Sequence, residues 1–259
     1  MPNYVPVSKE NHASKRWKRF DSYAFAQKET FLPLVAAELP KAVTAFPIAF
    51  IQQNDVFFPV ALLGLEQGKN LFVAANGQWV GAYVPSALRG HPFKLAKSQD
   101  NQLVLCVDQD SGLITDGPEG EAFFDESGEP SEPVKQVLEF LQKIEANQQA
   151  TARMCAVLAK HQVIKPWPIT LKTPEGEKTI NGLFQIDEQA LNQLPGEAFL
   201  ELRQAGALPM AYCQMLSMQH LATLAKLAEA HAQVASKMAQ QNQPFQASIE
   251  FDDDMIKFQ

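Results

Sequence analysis

Trp79, Tyr83, Arg89 and His91 fall within one short stretch, QWVGAYVPSALRGH, and their types suit ligand binding. If the stretch is extended, Trp79, Gly81 and Tyr83 share one face, because side chains alternate along a strand. Two aromatic rings flanking a glycine leave a shallow platform. Arg89 can add a bidentate contact to a carboxylate or phosphate stacked there. The structural alternative is that Trp79 and Tyr83 are core aromatics and that Arg89 pairs with a nearby acid.

Other chemistry-bearing residues are weaker as sites. His161 with Trp167 sits near an expected helix end, where the dipole favours an imidazolium. His220 and His231 share an azimuth on the last helix but stand about 16 Å apart along its axis, too far to ligate one metal. Ser217 and His220 are one turn apart, yet a serine inside a helix bonds back to its own backbone. Asp108, Asp110, Asp116, Glu119 and Glu121 include a D-x-D spacing but lack the order of an EF-hand, so a solvated acidic loop is expected rather than calcium. Cys106, Cys155 and Cys213 are dispersed, with no C-x-x-C pair, as expected for three small buried thiols. There is no G-x-S-x-G, no P-loop and no G-x-G-x-x-G. No metal, no cofactor and no catalytic residue is expected.

Two charged segments have the character of docking elements. KRWKRF, Lys15 to Phe20, either meets an anionic partner or forms a basic turn whose Trp17 and Phe20 dock on the body. The tail IEFDDDMIKF sets Asp252, Asp253 and Asp254 beside Phe251, Met255, Ile256 and Phe258. Such a segment can place its apolar side chains in a partner groove rimmed by Arg or Lys. Folding back as an edge strand is the alternative. Residues 241–259 are expected as a tail on a single domain of residues 1–240.

The elements that must position these groups follow from periodicity. ETFLPLVAAELP predicts a short helix ended at Pro40. FPIAFIQ and DVFFPVALLGL predict a hairpin about Gln53-Asn54, with Pro59 marking an edge or a bulge. NLFVAA and QWVGAYV predict two more strands about Asn76-Gly77, and QLVLCVD another. The turn-rich acidic run Asp116 to Pro133 predicts an exposed linker around a strand at Ala122 to Phe124. Val134, Val137, Leu138, Leu141 and Ile144 mark an amphipathic helix reaching towards Leu158. A second hairpin turns at Pro174-Glu175-Gly176. Short helices follow at 188–194 and 196–204, then a long helix from Pro209 to about Met238. The class is α+β: an antiparallel sheet in the N-terminal half, packed by helices mainly from the C-terminal half.

The formal charge of −7 argues against bulk binding to nucleic acid or anionic membranes. MPNYVPVSKENHASKRWKRF contains no apolar signal core, and no window approaches the roughly 20 apolar residues of a membrane span. A cytoplasmic protein is expected.

Two long stretches carry a resemblance: LLGLEQGKNLFVAANGQWVGAYVPSALRGHPF, Leu62 to Phe93, and NGLFQIDEQALNQLPGEAFLELRQAGALPMAYCQMLSMQHLATL, Asn181 to Leu224. With the order of elements between them, they resemble the bacterial SapC family over about residues 4–230. The family pattern carries Tyr before its Pro-Phe pair, where this chain has His91. The family name comes from a locus for a paracrystalline surface layer. Some members are labelled peptide-transporter permeases, a label that needs spans this sequence lacks. Family genes lie near flavin-dependent halogenase-like proteins, cupin-type oxygenases and TonB-dependent receptors. The resemblance therefore implies a non-enzymatic accessory protein that binds a partner enzyme or a peptide. Two other readings are an enzyme or small-molecule/peptide-binding protein with a pocket near Trp79 and Arg89, and a surface-layer structural protein.

Overall fold

The computed structural model describes residues 2–173 and 176–241. The strands are β1 (Tyr4–Pro6), β2 (Arg16–Trp17), β3 (Phe31–Pro33), β4 (Ile48–Gln53), β5 (Val56–Leu62), β6 (Phe93–Lys97), β7 (Leu103–Asp108), β8 (Ile114–Thr115), β9 (Glu121–Ala122), β10 (Ile164–Pro166), β11 (Ile169–Thr173), β12 (Gly176–Ile180) and β13 (Leu183–Ile186). The α-helices are α1 (Lys9–His12), α2 (Leu39–Ala42), α3 (Ser86–Arg89), α4 (Glu132–Lys160), α5 (Glu188–Asn192), α6 (Gly196–Gln204), α7 (Ala207–Ser217) and α8 (Leu221–Gln241). The class is α+β with antiparallel sheets.

The main sheet has the order β10-β13-β4-β5-β3. Its nucleus is the β4–β5 hairpin, closed by Asn54 and Asp55, both at positive φ as a two-residue turn with the right twist requires. Pro59 lies inside β5, and β5 is an interior strand rather than an edge. Leu62 donates to Pro47 O, so bonded pairs with β4 fall on alternate residues and Phe50–Pro59 is an unbonded pair. On the other side Leu34, one residue past the end of β3, donates to Pro59 O at 2.9 Å, so the missing N–H of Pro59 falls where that ladder ends. Two of the five strands come from the second half of the chain. β13 and β4 pair at Leu183–Ile51 and Phe184–Phe50 and then splay. Gln214 of α7 fills the fork, accepting from Ile186 N at 2.9 Å and donating to Ile48 O at 3.2 Å. Ser217 accepts from Ile48 N at 2.8 Å.

A second, smaller sheet, β1-β7-β6, lies with the β8-β2-β9 triplet over its own core of Trp17, Phe93, Val107, Phe123 and Val134. The basic run is thus partly a strand: Trp17 is buried, its ring edge-on to Phe93 at 4.8 Å. The acidic run is no open linker, because Lys18 pairs with Glu119, Arg19 with Glu121 at 2.9 Å, and Arg16 donates to Gly120 O at 3.0 Å. Helix α4 spans both cores. Val134, Val137 and Leu141 pack in the second, whereas Met154, Cys155 and Leu158 pack in the first.

Several expected elements differ. Residues 31–42 form β3, a 3-10 turn at Ala36–Glu38 and α2 rather than one helix. NLFVAA and QWVGAYV are irregular, joined by one bridge, Val73–Trp79, around the Asn76-Gly77 turn. The last long helix breaks after Ser217 into a 3-10 turn and α8. No described helix is long and apolar enough to cross a membrane.

Candidate binding cleft

The segment between β5 and β6 is held by its side chains more than by ladders. Asn70, buried, donates to Ala26 O at 3.0 Å and accepts from Phe72 N at 2.9 Å. Trp79 folds over its own chain, its indole N–H donating to Tyr83 O at 2.8 Å. Gly81 permits this, since a Cβ there would lie 2.7 Å from Nε1 of Trp79. Trp79 does not share an open face with Tyr83. It stacks on Phe72 at 5.6 Å and meets Phe46 and Tyr23 at 6.1 and 5.6 Å, as part of the first core.

Beneath this loop lies Glu38, 5% exposed. Its Oε1 accepts from Val35 N at 2.9 Å, the backward half of a capping box, and from Ser86 Oγ at 2.8 Å. Its Oε2 accepts from Ser86 N and from the Tyr83 hydroxyl, each at 2.8 Å. Burial first, then this bond, push the Tyr83 phenol up to about 12, so it stays protonated. Arg89 donates to the same hydroxyl at 3.1 Å, and its guanidinium lies 5.7 Å over Tyr83 and 5.3 Å over Phe140. The positively charged group and the ring are thus in contact, but the acid bonded there is Glu38, which holds Tyr83 and which composition and spacing did not single out. A lone glutamate in the apolar run LPLVAAELP was its only signal.

His91 stands apart from that trio, beyond α3. Its ring stacks on Phe25 at 3.8 Å with the planes 10° apart, and it meets the edge of Phe20 at 5.8 Å. The His91–Pro92 peptide is cis. Here the two cores meet, and a cleft of about 410 Å3 opens between β1, β6, β7, α3 and α4. Phe25 and His91 form an aromatic wall. Leu88, Leu141 and Ile144 add an aliphatic one, and Tyr4, Glu29, Lys94, Asp108 and Glu145 bring polar groups. Trp79, Tyr83 and Arg89 do not line it.

Asp108 is the carboxylate whose charge acts on both Tyr4 and His91. It ends β7, is 5% exposed, and accepts on Oδ1 from Asn3 N at 2.8 Å and Asp110 N at 3.2 Å. Burial pushes the Tyr4 phenol up, and the charges of Asp108 and Glu29 push it further. Burial pulls the His91 imidazole down, with Asp108 opposing. Asp108 closes the strand LVLCVD directly after the buried Val107, where alternation turns a side chain to the opposite face, so the strand pattern did not mark it as buried.

The remaining candidates lie elsewhere. His161 Nε2 meets Glu201 at 2.9 Å at the end of α4. His220 and His231 face the carbonyls of Val43 and Leu71 at 2.9 and 3.0 Å. Ser217 donates to Gln214 O at 2.6 Å rather than to His220. Among the described residues no group of three His, Cys, Asp or Glu side chains is placed to hold a metal. Phe251, Asp252, Asp253, Asp254, Met255 and Phe258 lie outside the described residues. A larger hollow of about 730 Å3 runs beside β3, β4 and the β12–β13 turn, but Glu66 is its one ionisable lining residue among those described.

No curated protein and no solved structure matches the chain. The model of the SapC family matches residues 7–224, most of the length, including the loop over Glu38, the cleft apart from Pro2 and Tyr4, and the Gln214 fork. The chain belongs to the SapC family.

Proposed function

We propose that the protein is a non-enzymatic binding protein that works with a partner enzyme or a peptide in the cytoplasm, and that the cleft between its two cores is the surface it uses. The observation that carries this reading is the cleft's construction. Its volume of about 410 Å3 falls in the range of ligand pockets, with apolar walls and a few convergent polar groups. The Ser86 hydroxyl in its lining is committed to a structural bond, donating to Glu38. The partner classes suggested by the family's gene neighbours are flavin-dependent halogenase-like proteins and cupin-type oxygenases. A net charge of −7 favours a protein or peptide over nucleic acid.

The test is affinity purification of the full chain beside an Ala87→Trp variant. Ala87 is exposed on α3 and lines the cleft, so a large ring there fills it with little cost to the fold. One stoichiometric partner or peptide, retained by the parent and lost by the variant at equal thermal stability, is the expected result. Identical capture by both would remove the cleft from the reading. A second reading, an enzyme, draws on His91 and Asp108 facing one cleft, as acid–base chemistry requires. Conversion of the captured peptide by the parent alone would favour it.

A further inference from the structure

Resting on the cleft as the binding surface, we propose that the group it receives is a protonated alkylamine, as presented by a lysine side chain or the amino terminus of a peptide. The juxtaposition behind this is a buried carboxylate with an oxygen to spare at the end of an apolar slot. Asp108 is 5% exposed and spends Oδ1 on Asn3 N and Asp110 N. Its Oδ2 accepts no hydrogen bond among the described residues, although an ionised carboxylate offers about four acceptor sites. Oδ2 is not among the side-chain atoms that are both shut off from solvent and unpartnered, so it is open to the cleft, and a cation supplied by a ligand can make a charge-assisted bond to it.

The protein's own cations do not fill this role. Lys94 is the sole lysine or arginine of the lining, and its ammonium lies 5.5 Å over the Tyr4 ring, forming no ion pair among the described residues. His91 is disfavoured as imidazolium by its burial. Glu29 and Glu145 add two more carboxylates to the rim, so the cleft sets three negative groups against one lysine. An anionic group entering it meets repulsion. The walls fit a methylene stem: Leu141 and Ile144 on one side, and on the other Phe25, 38% exposed and held flat by His91. A cation near that ring face gains further. A guanidinium needs two free oxygens in a fork, whereas one spare oxygen suits the compact ammonium.

The experiment is an amide-resolved NMR titration of the full chain with three probes. Nα-acetyl-lysine methylamide presents a side-chain amine, leucine methylamide presents an amino terminus, and Nα-acetyl-2-aminoheptanoic acid methylamide, with a methyl in place of the lysine ammonium, is the uncharged isostere. At least one amine should shift the amides of His91, Asp108 and Leu141 and bind about tenfold more tightly than the isostere, the size of one charge-assisted bond. Whichever amine binds more tightly identifies the source. Asp108→Asn should abolish the advantage over the isostere. Glu145→Gln, on the helix surface, should reduce it about twofold to threefold without touching the fold, and with the isostere it decides the matter even where Asp108→Asn does not fold. Equal binding of amine and isostere overturns the ammonium assignment and leaves the cleft reading standing. Failure of every probe to move the cleft amides overturns both.

Discussion

Ser86 is tied to Glu38 twice, through its backbone N–H and through its hydroxyl, each at 2.8 Å and across 48 positions of chain. Tyr83 and Val35 complete the set, so one buried carboxylate joins the 3-10 turn after β3 to the loop that leads into the cleft. Glu38→Ala strands four donors and should cost about 3–5 kcal/mol, in the range for removing one partner of a buried charged network. Ser86→Ala, which keeps the backbone bond, should cost about 1–2 kcal/mol. Urea unfolding measures both. Hydrogen exchange at the Ser86 amide should quicken in Glu38→Ala well before global unfolding, and unchanged exchange there would refute the hub.

His12 makes the fold sensitive to acid. It is fully buried, its Nδ1 accepts the Ser8 N–H at 3.2 Å, its ring packs on Phe123 at 4.9 Å, and its Nε2 has no partner. Burial first, then the charge of Lys15, pull its pKa below the ordinary value of 6.5, against the Ser8 carbonyl oxygen 3.3 Å from Nδ1, which favours a protonated ring. The unfolded chain therefore binds a proton in a range where the folded chain does not. Stability contributed by neutral His12 is complete above about pH 6.5 and is lost as pH falls towards the depressed folded value. His91, also lowered, adds a slope of the same sign. The urea midpoint should fall between pH 7.5 and 5.5, and His12→Asn, which can keep the acceptor for Ser8, should flatten that fall. A slope unchanged in His12→Asn would assign the acid sensitivity to His91 or to the carboxylates.

The limits of the sequence signal are physical. The β4–β5 hairpin, α4, α5 and α6 are written locally, in alternation, in 3.6-residue periodicity and in the cap Asp187, which accepts from Gln189 N and Ala190 N. QWVGAYV alternates like a strand too, but its hydrogen bonding is settled by the Trp79 indole reaching Tyr83 O over Gly81, a contact that periodicity does not encode. The basic and acidic runs carried no sign that they meet, because Lys18 and Glu119 are 101 positions apart. The cleft was harder still. Of the candidate binding residues only His91 faces it; Asp108, expected in a solvated acidic loop, is buried against it instead, and it comes together with Phe25 and Glu145 through the docking of two cores on one helix.

The fork between β13 and β4 should be as sensitive as the Glu38 hub. Gln214 is fully buried and serves Ile186 N and Ile48 O at once, while Ser217 serves Ile48 N. Gln214→Leu keeps the volume but orphans a backbone N–H and a C=O, and should cost about 2–4 kcal/mol. Ser217→Ala orphans one N–H and should cost about 1–3 kcal/mol. Because the two share Ile48, the double variant should cost less than the two losses combined. Strict additivity in urea unfolding would mean that the two side chains act independently.

The three thiols should separate by reactivity in a fixed order. Cys155 is fully buried, with Sγ 3.6 Å from Met210 Sδ, and burial pushes its thiol up to about 12. Cys106 is buried on β7 and also raised by burial, with Lys94 opposing. Cys213, on α7, is half-buried and raised as well. Thiolate, not thiol, is the reacting form, so both burial and a raised pKa slow attack. A disulfide reagent at pH 8 should modify Cys213 first, Cys106 after it, and Cys155 only as the fold opens. Since α4 and α7 pack against each other through Cys155 and Met210, the Cys155 rate should track global stability and rise in Gln214→Leu while the Cys213 rate changes little. Rapid modification of Cys155 in the native parent would mean that α4 and α7 part locally without unfolding.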